Sequence, residues 1–518
     1  MNLSQLLSIS ARKYPNKEAM VFNHQRLTYR EWNDKVDCLA WYLQEKGLQP
    51  GQCMVIMAPN TPEFACLYYA VIRAEGIVVP VNPRLSKEEV LYIIKDCDAY
   101  GIFVHEVLLP QFQDLPQKAI DVHCFTSAGP STELPKSWEN IHHCLEQVTD
   151  INLKEPELME DNTVSILYTS GTTGRPKGVI FSHRNILTVT QMINIELGIN
   201  LDSRVLHLMP LSHSAPLHLF FVAATNVGAT HILAPTFTPE LLLQLVQQEK
   251  VTHFFGAPVA YLLTAKHPDF SQYDLSSVKY WIYGGAPLSA DKCRLLEQFY
   301  GRDRLCCVYG LTEAGPSGTL LFHASEGHKA GSIGKRGAWS VEVEIVNDQG
   351  QRVAPGEVGE IRIRGEVNMQ GYLNNEEATQ ETLKGGWIYT GDLAHYDDDG
   401  YMWVMDRKKD LIISGGQNIY PKEIEQHLEQ HPKIKDVAVV GVAHPEWGET
   451  VKAFIVPQGS GEDEPSDWLS EIKSYLQEKI AEYKIPRLCE VIDEIPRNPT
   501  GKVLKHVLKS RGQQKTQV

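Results

Sequence analysis

Short apolar runs that feed directly into helical patterns of about 10–15 residues recur through the first four-fifths of this chain. QCMVIMAP (52–59) reads as a buried strand. TPEFACLYYAVIRAEG (61–76) follows with helical spacing and stops at Gly76, and IVVPVNP (77–83) is the next strand. The rhythm returns in SRVLHLMP, in ATHILAP followed by TPELLLQLVQQEK, in VTHFFG and in SVKYWIYGG. Uniformly apolar strands separated by helices specify parallel sheets covered on both faces. From about residue 340 the period changes. VEVEIVN, GEIRIRG and YMWVMD alternate apolar and polar residues, as half-buried antiparallel strands do, and DDDG (397–400) marks a turn between two of them. After DRKKDLIISGG comes a compact α+β pattern: helix PKEIEQHLEQH, strands at 434–443 and VKAFIVP, and helix DWLSEIKSYLQEKIAEY (467–483). The expected architecture is α/β. A large amino-terminal domain over 1–408 has parallel-rich sheets and a small antiparallel barrel-like part, and a mobile small α+β domain follows over 409–518. No internal repeat is visible, and TSAGPSTELPKS (126–137) is a surface loop by composition.

The length of 518 residues corresponds to about three to four folding units at roughly 150 residues each, and 43% hydrophobic content supplies a large core. Lys and Arg number 49 against 64 Asp and Glu, a net charge of −15, which argues against a non-specific grip on nucleic acid or anionic lipid but leaves room for local basic pockets. The ten cysteines form no C-x-x-C pair, and only Cys306 and Cys307 are adjacent. That pattern is neither a disulfide framework nor a zinc spacing, and it points to reduced thiols in a cytoplasmic protein. MNLSQLLSISARKYPNKEAM reads as an amphipathic first helix, not a signal peptide, and no window reaches the apolar length of a transmembrane segment.

The strongest chemical signal is YTSGTTGRPKG, Tyr168 to Gly178, set between the β-rich TVSILY and the helix-like HRNILTVTQMI. Its small residues expose backbone N–H groups, and Thr169, Ser170, Thr172 and Thr173 add hydroxyl donors, a composition suited to wrapping polyphosphate. It is not a Walker A loop, because Lys177 follows a proline and precedes Gly178. YGGAPLS (283–289) follows a strand, where open α/β sheets hold ligands, although taken alone those residues read first as a plain turn. YGLTEA (309–314) places Tyr309 to stack on a base, Thr312 to bond phosphate and Glu313 to hold Mg²⁺; a solvated turn carboxylate is the alternative. YTGDL (389–393) and DRKKD (406–410) flank a hairpin in which Asp392 and Arg407 suit a ribose, or form a surface ion pair. PRNPTGKVLK (496–505) sets Lys502 after a Pro/Gly-rich loop near the chain end.

In this order and at these spacings the segments resemble the adenylate-forming superfamily of acyl-CoA synthetases, peptide-synthetase adenylation domains and beetle luciferases, over about residues 25–505. YTSGTTGRPKG, YGLTE, YTGDL and PTGK match that family's motifs. PLSH (210–213), MQGYLN (369–374), ISGGQNIYP (413–421) and HPEWGE (444–449) look most like CoA ligases for fatty or aryl acids. The resemblance implies that a carboxylic acid attacks the α-phosphorus of ATP to give an acyl-adenylate and pyrophosphate, after which the CoA thiol displaces AMP. It implies that Ser170, Gly171, Thr172, Thr173, Gly174 and Lys177 cradle the β- and γ-phosphates and that Mg²⁺ sits on Glu313 with Thr169 nearby. Gly285, Ala286 and Pro287 border the adenine opposite Tyr309 and Gly310, Asp392 and Arg407 hold the ribose, and Lys502 brings a mobile charge to the α-phosphate. The small domain turns about a hinge at Lys409, withdrawing Lys502 and presenting Ser414, Gly415 and Gly416 to the pantetheine arm. Trp447 lies near the CoA face or packs in the core.

His213 and Gly284 border the acid in this reading, with a structurally bonded histidine as the other reading of His213. Gln417 stands where many relatives carry Glu, Lys505 where Arg is common, and PLSHSAPLH has serine where an aromatic frequently precedes the histidine. The substrate expected is an apolar acid, a medium- or long-chain fatty acid ahead of an aryl acid, with no nucleic-acid partner; a homodimer is left open. The rivals are an adenylation enzyme that loads a carrier-protein phosphopantetheine, a non-catalytic acyl-nucleotide binder, and a luciferase-like oxygenase.

Overall fold

A computed structural model describes residues 2–115, 122–129, 134–147, 153, 159–169, 176–286, 288–459, 465, 467–477, 479–497 and 503–514. The chain divides into two compact units. One is Met1–Val343 with Arg362–Tyr389, and the other is Glu344–Ile361 with Thr390–Val518. The division crosses the strands Glu342–Val346, Gly359–Arg364 and Trp387–Tyr396, which belong to one five-stranded sheet. Residues 408 and 409 fall inside the second unit, just past the strand Met402–Arg407.

The first unit contains two eight-stranded sheets. In one, the parallel strands Leu305–Tyr309, Tyr280–Gly284, His253–Gly256, Arg204–His207, Thr230–Leu233 and Glu18–Phe22 lie side by side, with the antiparallel strands Thr319–Phe322 and Gln25–Thr28 at the edges. In the other, the antiparallel strands Gly371–Tyr372 and Lys177–Ser182 lead into Thr163–Thr169. The parallel strands Ile77–Val81, Cys53–Met57, Ala99–Val104, His123–Thr126 and Trp138–Asn140 follow. Cys53–Met57 is buried at every position, as a central strand covered on both faces requires.

Local chemistry sets the helices between the strands. Thr28 and Glu31 close a capping box on Tyr29–Glu45, and Ser86 with Glu89 does the same for Lys87–Asp96. Thr61 caps Pro62–Arg73, whose first residue is a proline that needs no N–H there. Gly198, at φ 62°, ends His183–Leu197. The segment after PLSH, Ala215–Val222, is wound as a π-helix, a rare form that tends to occur at functional sites. Aromatic side chains Trp32, Tyr68, Tyr69 and Phe221 pack between the sheets.

The second unit holds its own sheet, Gln417–Ile419, Ile412–Ser414, Gly448–Pro457 and Ile434–His444, with Leu488–Val491 parallel to Gly448–Pro457. Its core gathers Ile424, Leu428, Val439, Ile455, Ile472 and Leu476. The helix expected over 467–483 is shorter, Trp468–Leu476. Its apolar stripe continues in register to Ile480, which packs on the same core although Ala481 is already extended, so the periodicity outlasts the helix. All ten cysteines are free, and eight of them are buried. Cys38 and Cys144 donate their thiol protons to each other's carbonyl oxygen at 3.3 and 3.2 Å. No helix among the described residues is long and apolar enough to cross a membrane.

Candidate functional site

The hairpin of Thr163–Thr169 and Lys177–Ser182 brings Thr169 opposite Lys177 and Tyr168 opposite Gly178 at the mouth of the hydroxyl-rich segment. Ser170, Gly171, Thr172, Thr173 and Gly174 lie outside the described residues. Gly178 is required by packing, since a Cβ there would meet Ile166 at 2.9 Å and the Tyr168 ring at 3.1 Å. The strand Gly371–Tyr372 adds to the hairpin, with Tyr372 opposite Val179. The Lys177 ammonium lies over the Tyr372 ring, 5.0 Å from its centroid, and the Tyr372 hydroxyl donates to Glu313 Oε1 at 2.8 Å. Glu313 stands in the single turn Thr312–Ala314, and its carbonyl accepts from the Met369 N–H at 2.9 Å. Lys177 and Glu313 are thus tied together through Tyr372, with Thr169 across the hairpin from Lys177. MQGYLN carries that tyrosine, but nothing in its spacing reveals the ring's role as the link.

A second group stands at the carboxyl ends of the parallel strands, where open sheets bind ligands. His213 Nε2 accepts from the Asn82 side-chain amide at 3.1 Å. Burial lowers the His213 pKa to about 4, so the ring is neutral near pH 7. Ser214 and Thr312 hydroxyls meet at 2.9 Å, fastening the start of the π-helix to the Thr312–Ala314 turn. Nothing in IVVPVNP singles out Asn82, since a polar residue closing a buried strand also reads as a turn signal. Tyr309, half-buried, ends its strand, and Gly310 follows it.

The glycines of this group differ. A Cβ on Gly284 would lie 2.4 Å from the Val308 carbonyl oxygen, and one on Gly310 would lie 2.5 Å from that of Pro316; both are set by close backbone packing. Gly285, at φ 78°, faces open space, and Ala286 is exposed beside it. Pro287 is outside the described residues.

In the second unit the strands Trp387–Tyr396 and Met402–Arg407 place Asp392 opposite Arg407. Arg407 Nε meets Asp392 Oδ1 at 2.6 Å, and Asp392 is 8% exposed, so the pair is a shielded contact rather than a solvated surface bridge. Lys409 lies in the single turn Lys408–Asp410, and burial lowers its pKa. Ser414 pairs with Gln417 across a turn whose Gly415 and Gly416 have φ of 56° and 79° and open space where a Cβ would point. The Gly415 N–H donates to the Trp447 carbonyl at 3.0 Å. Trp447 itself is 38% exposed with the Arg487 guanidinium stacked on it, which rules out the core-packing reading. Lys502 lies outside the described residues. On either side of its segment, Arg497 pairs with Asp436 at 2.9 Å and Lys505 with Glu425 at 3.0 Å. Burial would lower the Lys505 pKa, but the charges of Glu425, Asp406 and Asp410 raise it overall.

No group of three or more His, Cys, Asp or Glu side chains among the described residues could hold a metal ion by itself. One carboxylate oxygen of Glu313 is engaged by Tyr372, whose ring also lies under Lys177, the residue opposite Thr169 in the hairpin. A single carboxylate with a hydroxyl suits Mg²⁺, which keeps waters and takes further oxygens from substrate phosphates.

The profile of the AMP-binding enzymes matches residues 7–373, and that of the AMP-binding enzyme C-terminal domain matches 423–502. The chain is 34% identical to a long-chain-fatty-acid–CoA ligase of Bacillus subtilis over 98% of its length and 94% of the relative's. It is 36% identical to a feruloyl-CoA synthase of Amycolatopsis sp. over 97% of each chain. Its fold superimposes on an ATP-bound crystal structure of MatB from Rhodopseudomonas palustris with a TM-score of 0.88, at 26% identity, over 99% of this chain and 100% of the other.

Proposed function

The chain belongs to the AMP-binding enzymes, in their acyl-CoA synthetase branch, and from that premise we propose that it activates an apolar carboxylic acid as its adenylate and passes the acyl group to CoA. Among its relatives are a long-chain-fatty-acid–CoA ligase and a feruloyl-CoA synthase. The observation that carries the assignment of roles is the linkage of Thr169, Lys177, Tyr372 and Glu313 around one hairpin mouth.

An anionic acid attacking a polyanion needs positive charge and hydrogen-bond donors where the α-phosphate oxygens gain charge. Ser170 to Lys177 bind the β- and γ-phosphates, with the Lys177 ammonium oriented by the Tyr372 ring. Glu313 and Thr169 are the residues that would hold Mg²⁺, which supplies charge neutralisation on the leaving pyrophosphate. Tyr309, Gly310, Gly285, Ala286 and Pro287 border the adenine, Thr312 bonds phosphate, and Asp392 with Arg407 binds the ribose. Neutral His213, held by Asn82, orients the acid carboxylate beside Gly284. Lys502 supplies the α-phosphate charge in the first step. Residues 409–518 then turn about Lys409 so that Ser414, Gly415 and Gly416 admit the CoA thiol arm to the anhydride. Lys502→Ala therefore lowers adenylation on the order of 10³-fold while leaving thioester formation from supplied acyl-adenylate largely intact.

A medium- to long-chain fatty acid is the first substrate in this reading, and the protein is placed in the cytoplasm. An aryl acid is the second reading, favoured by the stacked rings of Phe220 and Phe255 beside Gly284. The test is acid-dependent ATP–pyrophosphate exchange followed by CoA-dependent AMP release across a panel from acetate to palmitate and cinnamate. Activity with acetate alone overturns the apolar-acid assignment, and acyl transfer only to a carrier-protein phosphopantetheine overturns CoA as acceptor.

A further inference from the structure

Register along the parallel sheet shows which residues share the face covered by the π-helix. Phe255, Ile282 and Cys306 stand in one row, and Gly284 with Val308 stands two residues nearer the carboxyl ends. Ile282 and Cys306 are fully buried, as is His253 two residues below Phe255. Phe255 alone in its row is partly exposed, although its strand is flanked by neighbours on both sides. A residue in the middle of a sheet becomes accessible only where the covering layer leaves a gap, so the gap reaches Phe255 and stops there. Phe220 of the π-helix, 1% exposed, stacks on Phe255 at 5.1 Å between centroids and 21° between planes. Phe255 also lies 3.4 Å from where a Gly284 Cβ would stand. Above that row the wall opens at Gly285, where nothing lies within 4 Å of a Cβ.

The space under the glycine turn therefore ends on two stacked rings, the nearer of them 3.4 Å from where a Gly284 Cβ would stand. We propose that Phe220 and Phe255 form the closed end of the acyl chamber and restrict the acid to a compact acyl group, a single aromatic ring or a chain of medium length, against long fatty chains. This rests on the acid–CoA ligase reading and narrows it. A ring entering beneath Gly284 finds an aromatic wall at stacking distance, whereas a long chain has to displace a packed ring pair. Pocket walls of this kind discriminate about 10–200-fold per methylene misfit.

The test compares kcat/KM for cinnamate, octanoate and palmitate in acid-dependent pyrophosphate exchange, in the natural protein and in Phe220→Ala. The milder Phe220→Leu and Phe255→Leu keep apolar bulk should the alanine variant unfold. The natural protein is expected to favour cinnamate or octanoate over palmitate at least about tenfold. Each folded variant is expected to raise the palmitate-to-octanoate ratio at least about tenfold, with KM for ATP unchanged. Palmitate preference in the natural protein, or an unchanged ratio in folded variants, overturns the end-wall assignment while leaving the ligase reading intact. Absence of exchange with every acid overturns the ligase reading itself, and the wall with it.

Discussion

His218 is fully buried in the π-helix, edge-on to Phe181, and neither ring nitrogen has a hydrogen-bond partner among the described residues. Burial alone pushes its pKa down to about 3. His207 falls to about 3 and His183, His213 and His253 to about 4, with burial the largest cause in each. A histidine whose pKa is lower folded than unfolded favours the unfolded chain once pH falls below the unfolded value, near 6.5. Stability is therefore fully kept above pH 6.5 and lost progressively from there towards pH 4, each such ring adding about 1.4 kcal/mol per pH unit to the slope. Replacing the orphaned ring with a hydrocarbon removes both the unmet polar atoms and one of these protons. His218→Leu is expected to equal or exceed the natural protein in denaturant midpoint at pH 7. It is also expected to lose about 1.4 kcal/mol less per pH unit between pH 6 and 4. A steeper loss on acidification in the variant refutes this account.

Among the elements, the two-residue strand Gly371–Tyr372 has an influence out of proportion to its length. Tyr372→Phe keeps the ring under Lys177 and deletes the donor to Glu313. A hydrogen bond to a charged group is worth about 1.5–3 kcal/mol, so pyrophosphate exchange should fall about 10–100-fold. The half-saturating Mg²⁺ concentration should rise at the same time, and an unchanged Mg²⁺ dependence counts against the assignment of Glu313. The glycines of YGGAPLS separate under substitution. Gly284→Ala drives a Cβ against the Val308 carbonyl and should lower apo-protein stability by about 1–3 kcal/mol. Gly285→Ala, which meets no neighbour, bears only left-handed backbone strain of about 1–2 kcal/mol and is read mainly in KM for ATP. Sequence could not distinguish these two, because the cause of one is a carbonyl on the adjacent strand. It marks Thr169, Lys177 and Glu313 as candidates because loop composition and carboxylate type are local properties. It does not mark Tyr372 and Asn82, because the partners they contact stand 59 and 131 residues away. The shortened helix after Asp467 has the same origin, a periodicity that records burial rather than backbone conformation.

For the molecule as a whole, the change of hydrophobic period near residue 340 located a real change from parallel to antiparallel sheet, yet the compact units interleave, with Glu344–Ile361 joining Thr390–Val518. Hydrophobic pattern follows the chain in order and does not record a strand shared between units. Within the second unit, the Lys422 N–H donates to Asp406 Oδ2 at 2.8 Å and its ammonium donates to the Val404 carbonyl at 3.1 Å. Those bonds join residues before and after Lys409, so rotation there has to break them. Lys422→Met is expected to change the rates of acyl-adenylate formation and of thioester formation from supplied adenylate in opposite directions, and an equal change in both argues against a pivot at Lys409. The distribution of thiols offers an independent view of the same two units. The eight buried cysteines, Cys38 to Cys306, all belong to the first unit, whereas half-exposed Cys489 is in the second. A bulky alkylating reagent thus acts as a clock for transient opening of the larger unit, with the more accessible Cys489 as its reference and no probe introduced into either.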